Sequence, residues 1–194
     1  RFASPFSILT AAIPVFRPRC AKLALLRSSL TTPLDRIPAI SATMDQADQT
    51  GRLTVNVALG PRSYDVVVVH DRPGDLAATA SAWLEGSWAG RACRAALIVT
   101  DHHVAGLSAV SNLRDALGTL GIESETAVVP PGEASKGLET ASQLYDRLIA
   151  RSADRHTLVV AVGGGVIGDL AGFVAATYAR GLPLLMVPTT LLSQ

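Results

Sequence analysis

The chain has 194 residues, of which 48% are hydrophobic and 17% charged, and it carries a formal net charge of +1 at pH 7. These values are typical of a globular protein with one core, or one domain plus part of another, and they exclude a disordered or fibrous chain. The chain has no excess of basic residues and its aromatic residues are few and scattered, which disfavours a nucleic-acid partner. No apolar run approaches the roughly 18 residues of a membrane span.

The first 43 residues differ in charge from the remainder of the chain. They contain six Lys or Arg and a single acid, Asp35, whereas the other 15 acids follow Met44. An acid-poor leader that is rich in Ser and Thr and contains Arg resembles an organellar transit peptide, although it could equally be sequence upstream of a start at Met44. We therefore expect residues 1–50 to be a disordered leader or upstream extension without chemistry, and residues 51–194 to form an α/β domain.

The compartment is predicted from the cysteines and from this leader. Cys20 and Cys93 lack C-x-x-C spacing, which fits a reducing compartment better than a disulfide framework. We expect a cytoplasmic protein, or a plastid protein if residues 1–43 are a transit peptide.

Alternating strand and helix patterns begin at Leu53. Apolar and polar residues alternate over 53–59 and a β-branched run covers 64–69, which predicts two strands joined by a short turn at Gly60-Pro61. The patterns that follow predict a helix over 75–85 capped by Asp75, a strand over 95–100, a helix over 104–117, a strand over 125–129, a helix over 133–151, a strand over 157–162 and a helix that opens at Gly168-Asp169. This order indicates a Rossmann-like, mostly parallel sheet with helices on both faces.

Ligands in sheets of this kind bind beyond the C-terminal ends of the strands. Those ends carry short polar or glycine-containing segments at Thr100-Asp101, 131–133, 163–169 and 188–190. Four such segments would form one rim of a nucleotide cleft.

The segment over 157–181 carries most of the evidence for function. Its β-branched run ends at three glycines, and a helical pattern follows at once. Gly163, Gly165 and Gly168 satisfy G-x-G-x-x-G between a strand and a helix, which indicates a phosphate-bearing ligand at the helix N-terminus. The same glycines could serve only to let helix and sheet pack closely. The acid that usually follows about 20 positions downstream is missing, so an ordinary Rossmann site fits poorly and another glycine-rich nucleotide site stays open.

Several polar residues near the predicted strand ends have both a functional and a purely structural interpretation. Lys136, with Glu133, lies at a helix start, where a lysine is unfavourable unless an anion is present, but it could simply be solvated. Thr189-Thr190 could contact a ligand or cap a helix, and Arg180 could bind a phosphate or stabilise a helix C-terminus. His102-His103 is not expected to hold a metal, because adjacent side chains cannot readily reach one ion and no third ligand has suitable spacing.

Three blocks of sequence, taken together, resemble the 3-dehydroquinate synthase family. They are PPGEASKGLET, TLVVAVGGGVIGDLAGFVAATYARGLP and VPTTLLSQ, and the likeness extends more weakly over 53–194. The glycines, Gly168-Asp169, Tyr178, Arg180-Gly181 and Pro188-Thr189-Thr190 occur in register with the family. Related sugar-phosphate cyclases share these blocks, and iron-dependent polyol dehydrogenases share a looser glycine-rich pattern.

The resemblance implies a lyase of the shikimate pathway, which supplies aromatic amino acids. Such an enzyme uses NAD and a divalent metal, Zn or Co, to convert 3-deoxy-arabino-heptulosonate 7-phosphate into 3-dehydroquinate and phosphate. The expected partners are this small sugar phosphate and a second copy of the chain in a homodimer, with no nucleic acid and no membrane.

The resemblance also implies roles for individual residues, position by position. Arg180 matches an arginine that reaches the substrate phosphate of the adjoining subunit. The cofactor-binding residues implied are Asp101 near the adenosine, Gly132, Glu133 and Lys136 in the first nucleotide-contacting loop, Gly164, Gly165, Val166, Ile167, Gly168 and Asp169 in the pyrophosphate loop, and Thr189 and Thr190 beside the nicotinamide. Ala134-Ser135 depart from the bulkier residues of many family members.

The largest departure from the family concerns length. The sequence ends at Gln194, where the family continues into Asp-Ser-Ser-Val-Gly-Gly-Lys and a helical domain with the metal ligands and most substrate lysines. The resemblance therefore implies an NAD-binding portion, truncated before the helical C-terminal domain, that contains no catalytic residue or metal site and is inactive alone. A stand-alone nucleotide-binding module, a related cyclase and a polyol dehydrogenase are the alternatives.

Overall fold

The computed structural model describes residues 8–13, 41–44, 53–58, 64–70, 78–82, 84, 93–190 and 193. The described strands form two sheets of four strands each. The first sheet is antiparallel with the order β1-β4-β3-β2, and consists of β1 (Ile8–Ile13), β2 (Ser41–Met44), β3 (Leu53–Ala58) and β4 (Tyr64–His70).

The second sheet is parallel with the order β6-β5-β7-β8. It consists of β5 (Ala95–Asp101), β6 (Glu123–Val129), β7 (Leu158–Gly163) and β8 (Leu184–Pro188). Three α-helices connect these strands: α1 (Ser108–Thr119), α2 (Leu138–Ala150) and α3 (Gly165–Thr177). Residues 78–82 and 84 are also helical.

The central strands are buried on both faces, which explains their continuous apolar sequences. On one face, Ile98 and Val160 pack in a core with Leu113 and other residues of α1. On the opposite face, Leu97 and Val159 pack in a second core with residues of α2 and α3. Every residue of β7 is buried.

The connections between the strands place a crevice at one edge of the parallel sheet. From β5 the chain passes through α1 on one face to β6, whereas from β7 it passes through α3 on the other face to β8. Adjacent strands whose connections leave in opposite directions, on opposite faces, form a topological switch point, and ligands bind there beyond the strand C-terminal ends. The crevice therefore lies between Asp101 at the end of β5 and Gly163 at the end of β7.

The predicted Rossmann-like α/β fold with a mostly parallel sheet is confirmed, and so is the strand pair formed by β3 and β4. Two helix starts differ from the prediction. Helix α1 begins at Ser108 rather than 104, because the segment after β5 forms turns. The helix predicted over 133–151 is instead a 3-10 turn over Glu133–Lys136 followed by α2, since Gly137 between them is extended.

Two further differences concern α3 and the N-terminal region. Helix α3 begins at Gly165, three residues before the predicted start. Strands β1 and β2 lie in the N-terminal region and pair with β4 and β3, and the expected disorder of residues 1–50 as a whole stays a prediction. Strand β4 is remote from β1 in sequence, so local patterns do not predict that pairing. The leader itself stays a prediction, and the predicted cap Asp75 lies outside the described residues.

Candidate nucleotide-binding site

The turn between β7 and α3 is built from three consecutive glycines. Gly163 ends the strand, Gly164 is extended with φ −79° and ψ −170°, and Gly165 is the first residue of α3. The amide of Gly168 donates a hydrogen bond to the carbonyl of Gly164 at 3.0 Å, and the amide of Thr189 donates to the carbonyl of Gly163 at 2.9 Å. The first amides of α3 have no partner within the helix, so they are available to an anion at this end.

The glycines of this turn differ in what an added side chain would meet. A Cβ on Gly163 would lie 2.7 and 2.8 Å from Cγ1 and Cβ of Ile167, and one on Gly168 would lie 2.8 Å from Cε of Met186. A Cβ on Gly165 would meet nothing within 4 Å. Close packing therefore explains Gly163 and Gly168, whereas Gly165 is exposed and faces open space.

A cavity of about 270 Å³ lies against this turn. Its lining includes Gly164, Gly165, Asp169, Pro188 and Ser193. Ligand sites in proteins usually measure about 300–1,000 Å³, so this cavity has room for the phosphate part of a dinucleotide rather than for the whole molecule.

Lys136 joins two of the segments predicted to bind a nucleotide. Its Nζ lies 2.9 Å from Oδ2 of Asp169 and 3.0 Å from Oε2 of Glu133. The hydrogen bond that Lys136 donates to the carboxylate of Asp169, and secondarily the one that it donates to Glu133, raises the pKa of Lys136 above its ordinary value. A charged ammonium is therefore held beside Asp169 in the N-terminal part of α3.

The loop that carries Lys136 has a fixed shape. Gly132 has φ 100°, in the left-handed region that favours glycine, and the hydroxyl of Ser135 donates to the carbonyl of Pro130 at 2.5 Å. Ser135 is buried. This hydrogen bond and the glycine fix the shape of the turn that carries Glu133 and Lys136.

Asp101 ends β5 on the other side of the crevice. Its Oδ1 accepts hydrogen bonds from the amides of His103 at 2.9 Å and Val104 at 3.0 Å. The side chain is 16% exposed. Asp101 therefore has a structural role in closing the turn after β5, and its predicted contact with an adenosine stays a prediction.

Thr189 and Thr190 follow β8 at the same edge of the sheet. The Oγ1 of Thr190 lies 2.8 Å from Oγ of Ser193, and a Cβ on Gly164 would be 3.4 Å from the methyl group of Thr190. Thr190 thus forms a local turn with Ser193, and it also borders the glycine segment. Ser193 lines the cavity but is not among the predicted site residues, although it lies within the VPTTLLSQ block.

Val166 and Ile167 belong to the first turn of α3. Val166 is half-buried, whereas the side chain of Ile167 is buried in the core and packs against Gly163. Only the backbone amide of Ile167 could therefore serve a ligand.

Arg180 is not brought together with the other candidate residues. It follows the C-terminal end of α3, and a helix of 13 residues is about 20 Å long, so Arg180 lies far from Gly165. The side chain is exposed. Its predicted contact with the substrate of an adjoining subunit stays a prediction.

The backbone around Arg180 is strained. Ala179 has φ 46° and Arg180 has φ 67°, both in the left-handed region, followed by Gly181 at φ 111°. The preceding Tyr178 is anchored, since its ring stacks on that of Tyr145 with centroids 6.2 Å apart and its hydroxyl donates to the carbonyl of Ala153 at 3.3 Å.

Replacing Ala179 with glycine is expected to stabilise the protein. The left-handed conformation costs an alanine about 1–2 kcal/mol, and the greater entropy of glycine in the unfolded chain offsets about 0.4–1 kcal/mol of the gain. Urea unfolding should show a rise of about 0.5–1 kcal/mol in the free energy of unfolding. The matched control, Ala176→Gly in the exposed part of α3, should lower it by about 1 kcal/mol. A loss of stability in both variants would contradict this account of the turn.

Within the described ranges there is no group of three or more His, Cys, Asp or Glu residues placed to hold a metal ion. Among the helices that the structure describes, none is long and apolar enough to cross a membrane.

Comparison with known proteins identifies relatives. Residues 126–194 match the family described as 3-dehydroquinate synthase N-terminal. The 3-dehydroquinate synthase of Desulforamulus reducens is 43% identical over 141 residues, which are 73% of this chain and 37% of that protein. The enzyme of the same name from Symbiobacterium thermophilum is 55% identical over 101 residues, which are 52% of this chain and 28% of that protein. The chain thus spans about a third of the length of these relatives.

A solved structure also resembles the chain. A crystal structure of 2-deoxy-scyllo-inosose synthase is 28% identical and aligns with a TM-score of 0.58, covering 72% of this chain and 37% of that chain. Its likeness supports the same α/β fold.

Proposed function

Because the chain belongs to the 3-dehydroquinate synthase family, we propose that it forms the NAD-binding part of such an enzyme. The observation that carries the proposal is the open face of Gly165 at the N-terminus of α3. Because Gly165 has no side chain, the space that a Cβ would occupy in any other residue is free. A pyrophosphate can approach the backbone there.

Residues on three sides of the crevice would hold the nucleotide. The amides of the first turn of α3, from Gly165 onward, would donate to the pyrophosphate, and Lys136 would supply positive charge beside it. Thr189 and Thr190 would border the nicotinamide at the end of β8, and Asp101 would face the adenosine at the end of β5. Gly132 would complete the site by shaping the loop that positions Lys136. Glu133 and Asp169 would also position Lys136, and they would offer carboxylate oxygens to ribose hydroxyls.

The reaction is proposed for the full-length protein. Such a protein would be a lyase that converts 3-deoxy-arabino-heptulosonate 7-phosphate into 3-dehydroquinate and phosphate, acts in the shikimate pathway and functions as a homodimer in the cytoplasm. When bound, NAD⁺ would accept a hydride from the substrate carbon that bears a hydroxyl, as that alcohol is oxidised to a ketone and its O–H proton is released. The part played by the present residues is to hold the cofactor in one orientation throughout.

A divalent metal, Zn or Co, is part of the same proposal but does not fit the residues at hand. Because the described part of the chain offers no cluster of metal ligands, we assign no step to the metal here. We expect no phosphate release by the 194-residue chain alone, and Arg180 would act on a substrate held by a second subunit.

A related sugar-phosphate cyclase is the second candidate. The likeness to 2-deoxy-scyllo-inosose synthase supports it, since that enzyme shares the fold over 72% of this chain. Phosphate release by the full-length protein, assayed with each candidate sugar phosphate in turn, would separate the two activities.

The proposal is tested by calorimetric titration of NAD⁺ into the chain. Binding in the micromolar to millimolar range would support it, and no heat of binding from a folded chain would overturn it. Circular dichroism would establish that the chain is folded in both cases.

Replacing Lys136 with methionine should weaken NAD⁺ binding without unfolding the chain. Removal of the ammonium deletes a charge-assisted hydrogen bond to the cofactor, so the Kd should rise about tenfold. Methionine keeps a side chain of similar length. The control is Arg114→Met, which removes an exposed positive charge from α1. An equal change in Kd for the two variants would mean that only net charge matters.

A further inference from the structure

We propose that Ser193 is a positioning residue of the nucleotide site. It accepts the hydroxyl proton of Thr190, so that Thr190 faces the ligand only as a hydrogen-bond acceptor. The ligand group that fits such an oxygen is an N–H donor, and the carboxamide of the nicotinamide supplies one. The inference rests on the proposed function, since it presumes that the nicotinamide end of a dinucleotide lies beside Thr190.

The first argument is the position of Thr190 beside the glycine turn. The amide of Thr189 donates to the carbonyl of Gly163 at 2.9 Å, so the segment after β8 is fixed to the end of β7. A Cβ built on Gly164 would lie 3.4 Å from the methyl carbon and 3.5 Å from Oγ1 of Thr190. Because Thr190 is exposed, its hydroxyl is within reach of a ligand that binds at the turn.

The second argument is a count of hydroxyl protons. The Oγ of Ser193 donates to the carbonyl of Thr190 at 2.8 Å, which uses the single proton of that hydroxyl. The two hydroxyl oxygens, Oγ1 of Thr190 and Oγ of Ser193, are also 2.8 Å apart. Because Ser193 has no second proton to give, the proton of this hydrogen bond comes from Thr190. The Oγ1 of Thr190 therefore offers a ligand only its lone pairs.

The third argument is the placement of donors and acceptors around the cavity. Ser193 lines the same cavity as the glycine turn. On the α3 side the first amides of the helix donate, which suits the oxygens of a pyrophosphate. On the side of Thr190 and Ser193 the hydroxyl oxygens accept, which suits an N–H group and disfavours an oxygen that carries negative charge. The two sides match the pyrophosphate and the carboxamide of one dinucleotide.

Without Ser193 the hydroxyl of Thr190 would lose this fixed direction. A threonine hydroxyl can donate or accept, and its hydrogen rotates to suit the partner. In Ser193→Ala the proton of Thr190 could point at the ligand. The site would then discriminate less between a ligand group that donates and one that only accepts.

The test compares the binding of NAD⁺ and of nicotinic acid adenine dinucleotide by calorimetry at neutral pH. The second ligand carries a carboxylate where NAD⁺ carries a carboxamide, so that group presents acceptors only. We expect the wild-type chain to bind it about 10- to 100-fold more weakly than NAD⁺, and Ser193→Ala to lower that ratio about fivefold. A purely structural role of Ser193 would weaken the binding of both ligands equally and leave the ratio unchanged.

Three further variants assign the change to the hydroxyl of Thr190. Ser193→Thr keeps a hydroxyl and should keep the wild-type ratio. Thr190→Val removes the hydroxyl that Ser193 orients, so adding Ser193→Ala to it should not change the ratio further. The matched control is Ser111→Ala, because Ser111 is an exposed serine in α1 whose hydroxyl also donates to the carbonyl three residues earlier, that of Ser108, at 3.0 Å. This control should bind both ligands as the wild-type chain does.

The outcomes are distinct for the two proposals. If Ser193→Ala binds NAD⁺ with an unchanged ratio of the two affinities, the inference is wrong and the proposed function stands. The inference is also wrong if the wild-type chain binds the two ligands equally well. If the folded wild-type chain binds neither ligand, both proposals are wrong. Should Ser193→Ala fail to fold, Ser193→Cys provides the same comparison, since a thiol is of similar size but is a weak donor and acceptor.

Discussion

Replacing Gly165 with valine is expected to abolish NAD⁺ binding while leaving the fold intact. The position is exposed and a Cβ there meets nothing within 4 Å, so the substitution creates no clash within the protein. Gly165 also has no positive φ that only glycine would tolerate. We therefore expect the free energy of unfolding to change by less than about 0.5 kcal/mol.

The effect on binding should be large because the branched side chain occupies the approach to the first amides of α3. Each hydrogen bond from an amide to a charged phosphate is worth about 1.5–3 kcal/mol, and the loss of two weakens binding about 100-fold or more. Calorimetric titration measures this directly, with thermal unfolding as the check on folding.

Gly118→Val is the matched control for this experiment. Gly118 is also an exposed helical glycine whose Cβ would meet nothing within 4 Å, but it lies near the end of α1, away from the glycine turn. This variant should bind NAD⁺ as the wild-type chain does. Retention of NAD⁺ affinity by Gly165→Val would show that the turn is only a packing device.

Local patterns predicted the parallel sheet because its strands are buried on both faces. The continuous apolar residues of β5 and β7 are typical of parallel strands that helices cover on both faces. The boundaries of α1 and α2 depended instead on single interactions. The Oδ1 of Asp101 closes a turn that delays α1, and the extended Gly137 separates a 3-10 turn from α2.

The sequence indicates candidate residues for the site, whose roles stay predictions, but it does not indicate how those residues are arranged. Glu133, Lys136 and Asp169 are candidates from sequence, but the ion pair between Lys136 and Asp169 joins segments that lie before and after β7 in sequence, and no local pattern predicts it. Likewise, the G-x-G-x-x-G spacing cannot separate glycines that pack from glycines that face a ligand. That distinction depends on how closely α3 approaches β7 and β8.

The closest contact between α3 and the sheet is that of Ile167 with Gly163. The substitution Gly163→Ala is therefore expected to cause the largest loss of stability. An added Cβ would lie 2.7 and 2.8 Å from Cγ1 and Cβ of Ile167, whereas non-bonded carbons prefer about 3.5–4.0 Å. Because the Cβ of Ile167 itself is involved, rotation of its side chain cannot relieve the clash. The first turn of α3 must move, and Ile167 is only 1% exposed in the core.

We expect Gly163→Ala to lower the free energy of unfolding by about 3 kcal/mol, the upper end of the usual cost of overpacking. Gly168→Ala should cost less, since its added Cβ meets only the flexible end of Met186. Gly118→Ala should raise stability by about 0.5–1 kcal/mol, because alanine favours a helix over glycine. Urea unfolding of the three variants gives the comparison. If Gly163→Ala were as stable as Gly118→Ala, the contact between β7 and the first turn of α3 would be looser than the structure shows. The distinction between glycines that pack, such as Gly163, and the ligand-facing Gly165 would then be unsupported.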